Sequence, residues 1–198
     1  MLHGIDVSDW QETVDWAAHA GSGVAFAFAR ASEGATGLDT SFDRNWRLMR
    51  EHRLVCGAYH VARPQDDPVE QAGHFLRTVE RAGGLHEGDL LALDLESADG
   101  LPPERVARFA RRWCRQIDKQ VGLRPLIHTF QWFADQGNCA GLGDHPLWIA
   151  APGKAMGEPV VPRPWREWAI HQYANVPVDR DVFHGSRQDL TRLGYHPR

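Results

Sequence analysis

The stretch Leu90-Leu-Ala-Leu-Asp-Leu-Glu-Ser97 closes an apolar run with two carboxylates, Asp94 and Glu96. Side chains alternate along a strand, so Leu90, Ala92, Asp94 and Glu96 share one face while Leu91, Leu93 and Leu95 take the other. A rise of about 3.3 Å per residue sets the two acidic Cα atoms roughly 6.5 Å apart, close enough to couple and to drive one pKa upward. A glutamate kept protonated near neutral pH can serve as a general acid. The triplet by itself fits a solvated loop start equally well, because Ser97-Ala98-Asp99-Gly100 follows it. The first apolar run supplies context: in Gly4-Ile5-Asp6-Val7, Ile5 and Val7 share one face and Asp6 shares the other with Gly4. A third carboxylate would then reach the same place.

Positioning these groups requires strands that end side by side. Short runs rich in β-formers occur at 2–7, 24–30, 55–61, 90–96, 125–130, 146–150, 168–173 and 178–183. Helical patterns separate most of them. Asp67-Pro68-Val69-Glu70 reads as an N-cap, an N1 proline and a capping-box glutamate, followed by Ala72, Phe75, Leu76 and Val79 and stopped by Gly83-Gly84. A second helix runs from Pro103 to Gly122, and a third from Thr40 or Ser41 through Trp46 and Met49. Shorter ones fit 13–20, 131–136 and 187–193. Such alternation signifies a parallel sheet covered by its crossover helices.

An open nucleotide-binding sheet would carry G-x-G-x-x-G or G-x-x-x-x-G-K-[ST], and neither occurs. The α/β chain is therefore read as an irregular (β/α)8, TIM-like barrel, one catalytic domain over residues 1–198. Asp6, Arg30, His60, Asp94 with Glu96, His128 and Gln172 lie at or near strand C-terminal ends, where barrel enzymes assemble their sites. The segment 151–164 is a long connection before the seventh strand.

Composition narrows the partners. A net charge of −4 leaves no basic footprint for nucleic acid, and no polybasic stripe seeks an anionic membrane. No run approaches the roughly 18 apolar residues of a membrane span, and the start lacks the basic and apolar regions of an export signal. Localisation thus stays open between release through a separate pore, another export route and a trimmed chain. Cys56, Cys114 and Cys139 are expected as buried free thiols, without disulfide or zinc knuckle. A monomer without cofactor or metal is expected.

In order, GIDVSDWQ (4–11), FAFARASEG (26–34), GAYHV (57–61), LALDLE (91–96), PLWIA (146–150), WAIHQYA (168–174) and VDRDVF (178–183) resemble the landmarks of glycoside hydrolase family 25. The resemblance implies a peptidoglycan muramidase, a lysozyme that cuts the β-1,4 bond between N-acetylmuramic acid and N-acetylglucosamine in an irregular β/α barrel. By position, Glu96 matches the general acid, Asp94 its partner, Asp6 the acid of the first strand and Asp179 that of the last motif. Glu33 and Tyr59 match groove positions. With His60, His128, Trp148, Gln172, Tyr173 and Asp181 they form the expected substrate-binding set, although for a single tryptophan such as Trp10, Trp132 or Trp148 core or helix packing is the commoner role. The resemblance also implies retention of configuration, with the substrate's N-acetyl group as nucleophile. Three family aromatics are replaced, by His128, Pro152 and His171, and Asp181 stands where the last motif usually carries asparagine.

Two rival readings follow from the same residues. His60, His128 and His171 with Asp6, Asp94 and Asp179 could form a divalent-metal site of a barrel hydrolase. A non-catalytic glycan-binding module would keep the groove without turnover.

Overall fold

A computed structural model describes residues 1–11 and 13–197. The strands are β1 (Leu2–Val7), β2 (Val24–Glu33), β3 (Gly37–Leu38), β4 (Val55–Val61), β5 (Leu90–Asp94), β6 (Leu126–Phe130), β7 (Leu147–Ala150), β8 (Ile170–Ala174) and β9 (Asp179–Phe183). The α-helices are α1 (Trp16–Gly21), α2 (Phe42–Glu51), α3 (Pro68–Arg81), α4 (Pro103–Val121), α5 (Gln131–Phe133) and α6 (Arg187–Arg192).

Local chemistry starts and stops these elements as expected. Asp67 caps α3 by accepting from the N–H groups of Val69 and Glu70 at 2.7 and 3.1 Å, with Pro68 opening the first turn. Gly122, at φ 70°, closes α4 in the left-handed conformation that glycine adopts without steric penalty. Two differences lie at element ends: α1 begins at Trp16, capped by Asp15, and β5 stops at Asp94. The backbone beyond β5 stays tethered, since the Leu95 N–H donates to the His128 carbonyl at 2.9 Å. The short β3, a hairpin partner of β2, carries no apolar alternation and was not anticipated.

The sheet order is β1-β9-β8-β7-β6-β5-β4-β2-β3, and pairing of β1 with β2 closes eight strands into a barrel. Within the barrel, neighbours run parallel except β9, which is antiparallel to both β1 and β8. The start of β9, instead of its end, therefore lies at the mouth where the parallel strands finish.

Two layers of core follow from the alternation. Leu91, Leu93 and Leu95 are fully buried against the helices with Phe75, Phe109 and Trp113, each such burial stabilising by roughly 1.5–3 kcal/mol. Leu90 and Ala92 point inward, joining Phe26, Phe28, Leu126, Trp148 and Ile170 in the barrel interior. Two glycines make room for that filling: a Cβ on Gly4 would sit 2.3 Å from the Phe26 ring, and one on Gly57 2.2 Å from Phe28. All three cysteines are buried free thiols. Among the described residues no helix is long and apolar enough to cross a membrane.

Candidate active site at the barrel mouth

The inward register of the barrel strands delivers the site. Asp6 is opposite Asp179 across the β1–β9 pair, and Asp94 is beside His128 across the β5–β6 pair. His128 Nδ1 lies 3.3 Å from Asp94 Oδ1 and 3.3 Å from Glu96 Oε1, bridging the two acids of the D-x-E triplet. One ligand atom from each of these three residues falls within 4.8 Å of the others, and among the described residues this is the His/carboxylate cluster compact enough to accept a cation. With Nδ1 facing two carboxylates, the protonated ring itself supplies the positive charge.

Electrostatics separates the roles. Burial pushes Glu96 up to about 7, and the neighbouring Asp94 adds to the shift. Burial opposes charging His128, but the hydrogen bond to Asp94 and the charges of Asp94, Glu96 and Asp6 outweigh it and raise the ring to about 10. Asp6 is also raised to about 7, by burial and then by Asp179, while its Oδ2 accepts from Gln172 Nε2 at 2.7 Å. Asp179 is raised by burial. The mouth thus holds acids that stay partly protonated around neutrality beside one buried cation, the condition under which a carboxyl group can donate a proton.

Several residues of the expected binding set are placed elsewhere by the alternation. His60 is fully buried on the outer face of β4, between Ser32 and Gln71 at 2.9 and 3.0 Å and stacked on Trp113. His171 likewise faces outward on β8, where its Nδ1 accepts from the Gly157 N–H at 3.1 Å and so ties down the 151–164 connection. Tyr173 shares that outward face, with Arg180 over its ring at 5.5 Å. The three-histidine metal site is therefore corrected: only His128 reaches the mouth.

Trp148 and Asp181 are inward but too deep for a glycan. Trp148, 1% exposed, forms the floor against Phe28, Tyr59 and His128, and its Nε1 donates to Asp181 Oδ1 at 2.8 Å. Tyr59 lies edge-on to that floor, its phenol kept neutral by burial and by Asp6 and Asp94. Glu33 sits at the rim and pairs with Arg63, which also approaches Asp99 at 3.7 Å. A recess of 380 Å³ opens there, lined by Asp9, Arg30, Glu33, Asp39, Arg63 and Asp66. A larger cavity of 590 Å³ lies at the entry ends of β7 and β8, away from the carboxylates.

Trp10 and Trp132, which packing statistics would bury, are 82% and 55% exposed. Each lies within three residues of the C-terminal end of a barrel strand, and Trp132 stacks beside Phe130.

Comparison with known proteins agrees with this geometry. Residues 5–182 match Glycosyl hydrolases family 25. The chain is 33% identical to the protein YegX of Escherichia coli K12, over 96% of this chain and 72% of that one, and 27% identical to lysozyme M1 of Streptomyces globisporus, over 97% and 71%. In three dimensions it superposes on a muramidase from Acremonium alcalophilum with a TM-score of 0.88 at 26% identity, covering 98% of both chains. A closed eight-stranded barrel, the carboxylates at its mouth and a match over nearly the whole length establish that this chain belongs to glycosyl hydrolase family 25 and is a glycoside hydrolase.

Proposed function

We propose that the protein is a muramidase, hydrolysing the β-1,4 bond between N-acetylmuramic acid and N-acetylglucosamine in peptidoglycan strands. The observation that carries the chemistry is Glu96: a carboxyl group raised to about 7, one-third exposed at the mouth, with Asp94 and His128 against it. The substrate class is supported by the lysozyme and muramidase relatives.

In this reading Glu96 gives its proton to the glycosidic oxygen as the bond to the anomeric carbon breaks. The 2-acetamido carbonyl oxygen of the same sugar attacks that carbon, retaining configuration through a cyclic cationic intermediate. Asp94 stabilises the positive charge that develops on the acetamido group, and Asp6 and Asp179 extend the negative field around it. Water then adds to the anomeric carbon as its bond to the acetamido oxygen breaks and the acetamido group is regenerated, and the proton of the water passes to the Glu96 carboxylate, which restores the acid. His128 holds Asp94 and Glu96 in register, Gln172 orients Asp6, and the Glu33–Arg63 rim and exposed Trp10 and Trp132 flank the path of the glycan.

The test is digestion of purified peptidoglycan with mass analysis of the products. Fragments with N-acetylmuramic acid at the reducing end are expected. N-acetylglucosamine ends, or free peptides, would refute the bond assignment. Glu96→Gln should lower turnover by about 10² to 10⁴ without altering wall binding.

A further inference from the structure

Asp181 is fully buried, yet it is ionisable. The β1–β9 register pairs it with Gly4 and pairs Asp179 with Asp6, so Asp181 and Asp6 are diagonal neighbours on the inward faces of adjacent strands, both buried. Asp181 Oδ1 accepts from Trp148 Nε1. Its Oδ2 is buried, and among the described residues no N–H or O–H donates to it. Asp6 has one oxygen occupied by Gln172. Two neighbouring carboxylates in a barrel interior cannot both be ionised without a large penalty.

We infer that Asp181 is a neutral carboxylic acid that donates its proton to Asp6, so that the two share one proton and Asp181 positions the Asp6 carboxylate. The hydroxyl then takes the place of the N–H that an asparagine, usual at this point of the matched motif, could offer. The surroundings favour this state. Asp179 from β9 and Asp94 with Glu96 from β5 are further acids of the mouth, the Tyr59 phenol from β4 and Gln172 from β8 are neutral, and Arg30 from β2 is paired with Asp9 and Asp39. The Trp148 N–H and the His128 charge favour an ionised Asp181, but His128 lies against Asp94 and Glu96, and burial with Asp6 outweighs both. Burial and Asp6 together hold the Asp181 carboxyl well above its ordinary range.

The importance of Asp6 to turnover rests on the proposed muramidase reading, but the protonation state does not, and the deciding measurements need no substrate. Infrared difference spectra of the intact protein at about pH 8, above the values of about 7 of Glu96 and Asp6, should show the carbonyl band of a buried protonated carboxylic acid, kept in Glu96→Gln and lost in the Glu96→Gln, Asp181→Asn double variant. Absence of that band from both wild type and Glu96→Gln, or its survival at full strength in the double variant, overturns the inference. Thermal unfolding gives an independent readout. A raised folded-state pKa means that wild type loses stability as pH rises from the unfolded value near 4 toward the folded one. Asp181→Asn escapes this, so its Tm should match wild type near pH 4 and exceed it by about 3 °C or more near pH 8. A gap independent of pH would count against a shared proton. If Asp181→Asn fails to fold, the wild-type and Glu96→Gln spectra alone decide.

Discussion

Replacing His128 by phenylalanine removes the cation that lies between Asp94 and Glu96 while keeping a ring against Trp148, 4.4 Å away. At 3.3 Å from Glu96 Oε1, a unit charge pair is attracted by about 5 kcal/mol at an effective dielectric constant of about 20. Glu96 is 33% exposed, so solvent screens this toward the roughly 1.5–3 kcal/mol of a charge-assisted contact. At 1.36 kcal/mol per unit this corresponds to about one to two pK units. Because His128 favours the ionised glutamate, its loss must raise Glu96 above its value of about 7. The alkaline limb of kcat/KM, measured as release of reducing ends from purified peptidoglycan between pH 4 and 10, should therefore move upward by about one to two units in His128→Phe. An unmoved limb, or one displaced downward, would refute the ion-pair account of the site. Stability supplies a second sign: with a folded pKa of about 10 against 6.5, the His128 contribution is full below pH 6.5 and lost as pH rises toward 10. Wild-type Tm should fall across that window, and His128→Phe should show a flatter profile.

Other consequences concern residues away from the acids. His60 is depressed to about 4 by burial, so its contribution, on the order of 3 kcal/mol, is present above pH 6.5 and lost as pH falls through 4; His60→Gln should flatten the acid limb of urea-unfolding stability while leaving KM for peptidoglycan unchanged. Gly57→Ala would place a methyl 2.2 Å from Phe28 and should destabilise by about 1–3 kcal/mol in urea titration, with partial recovery in a Gly57→Ala, Phe28→Leu double variant. Trp10→Ala and Trp132→Ala should raise KM for peptidoglycan with Tm unchanged, since both rings are exposed; an unaltered KM in both would remove them from the glycan path. Exhaustive chelation should leave turnover intact, and loss reversed by added zinc or manganese would show that Asp94, Glu96 and His128 hold a metal.

Periodicity and punctuation carried much of the architecture. The capped start of α3, the alternation of Leu90–Asp94 and the glycine stop of α4 are local events, encoded within a few residues and therefore legible. The inward facing of Asp6 and Asp94 followed from the same period of two, as did the outward facing of Leu91 and Leu93. That period also contained the answer for His60, one residue after inward Tyr59, but a position near a strand's end suggested the mouth, and only the neighbouring α3 and α4 show which face their side chains fill.

Closure of the barrel, the antiparallel entry of β9 and the 3.3 Å bridge from His128 to two acids depend on residues far apart in the chain. No local pattern encodes them. The sequence alone therefore determined which groups could do acid chemistry and on which strands they ride. Tertiary structure decided which of them share one low-dielectric space: Asp181 became a buried neighbour of Asp6 because β9 pairs with β1 so that Asp179 faces Asp6 and Asp181 faces Gly4, a fact set by strand register between the two ends of the chain. Burial and proximity shift proton affinities only once that register exists.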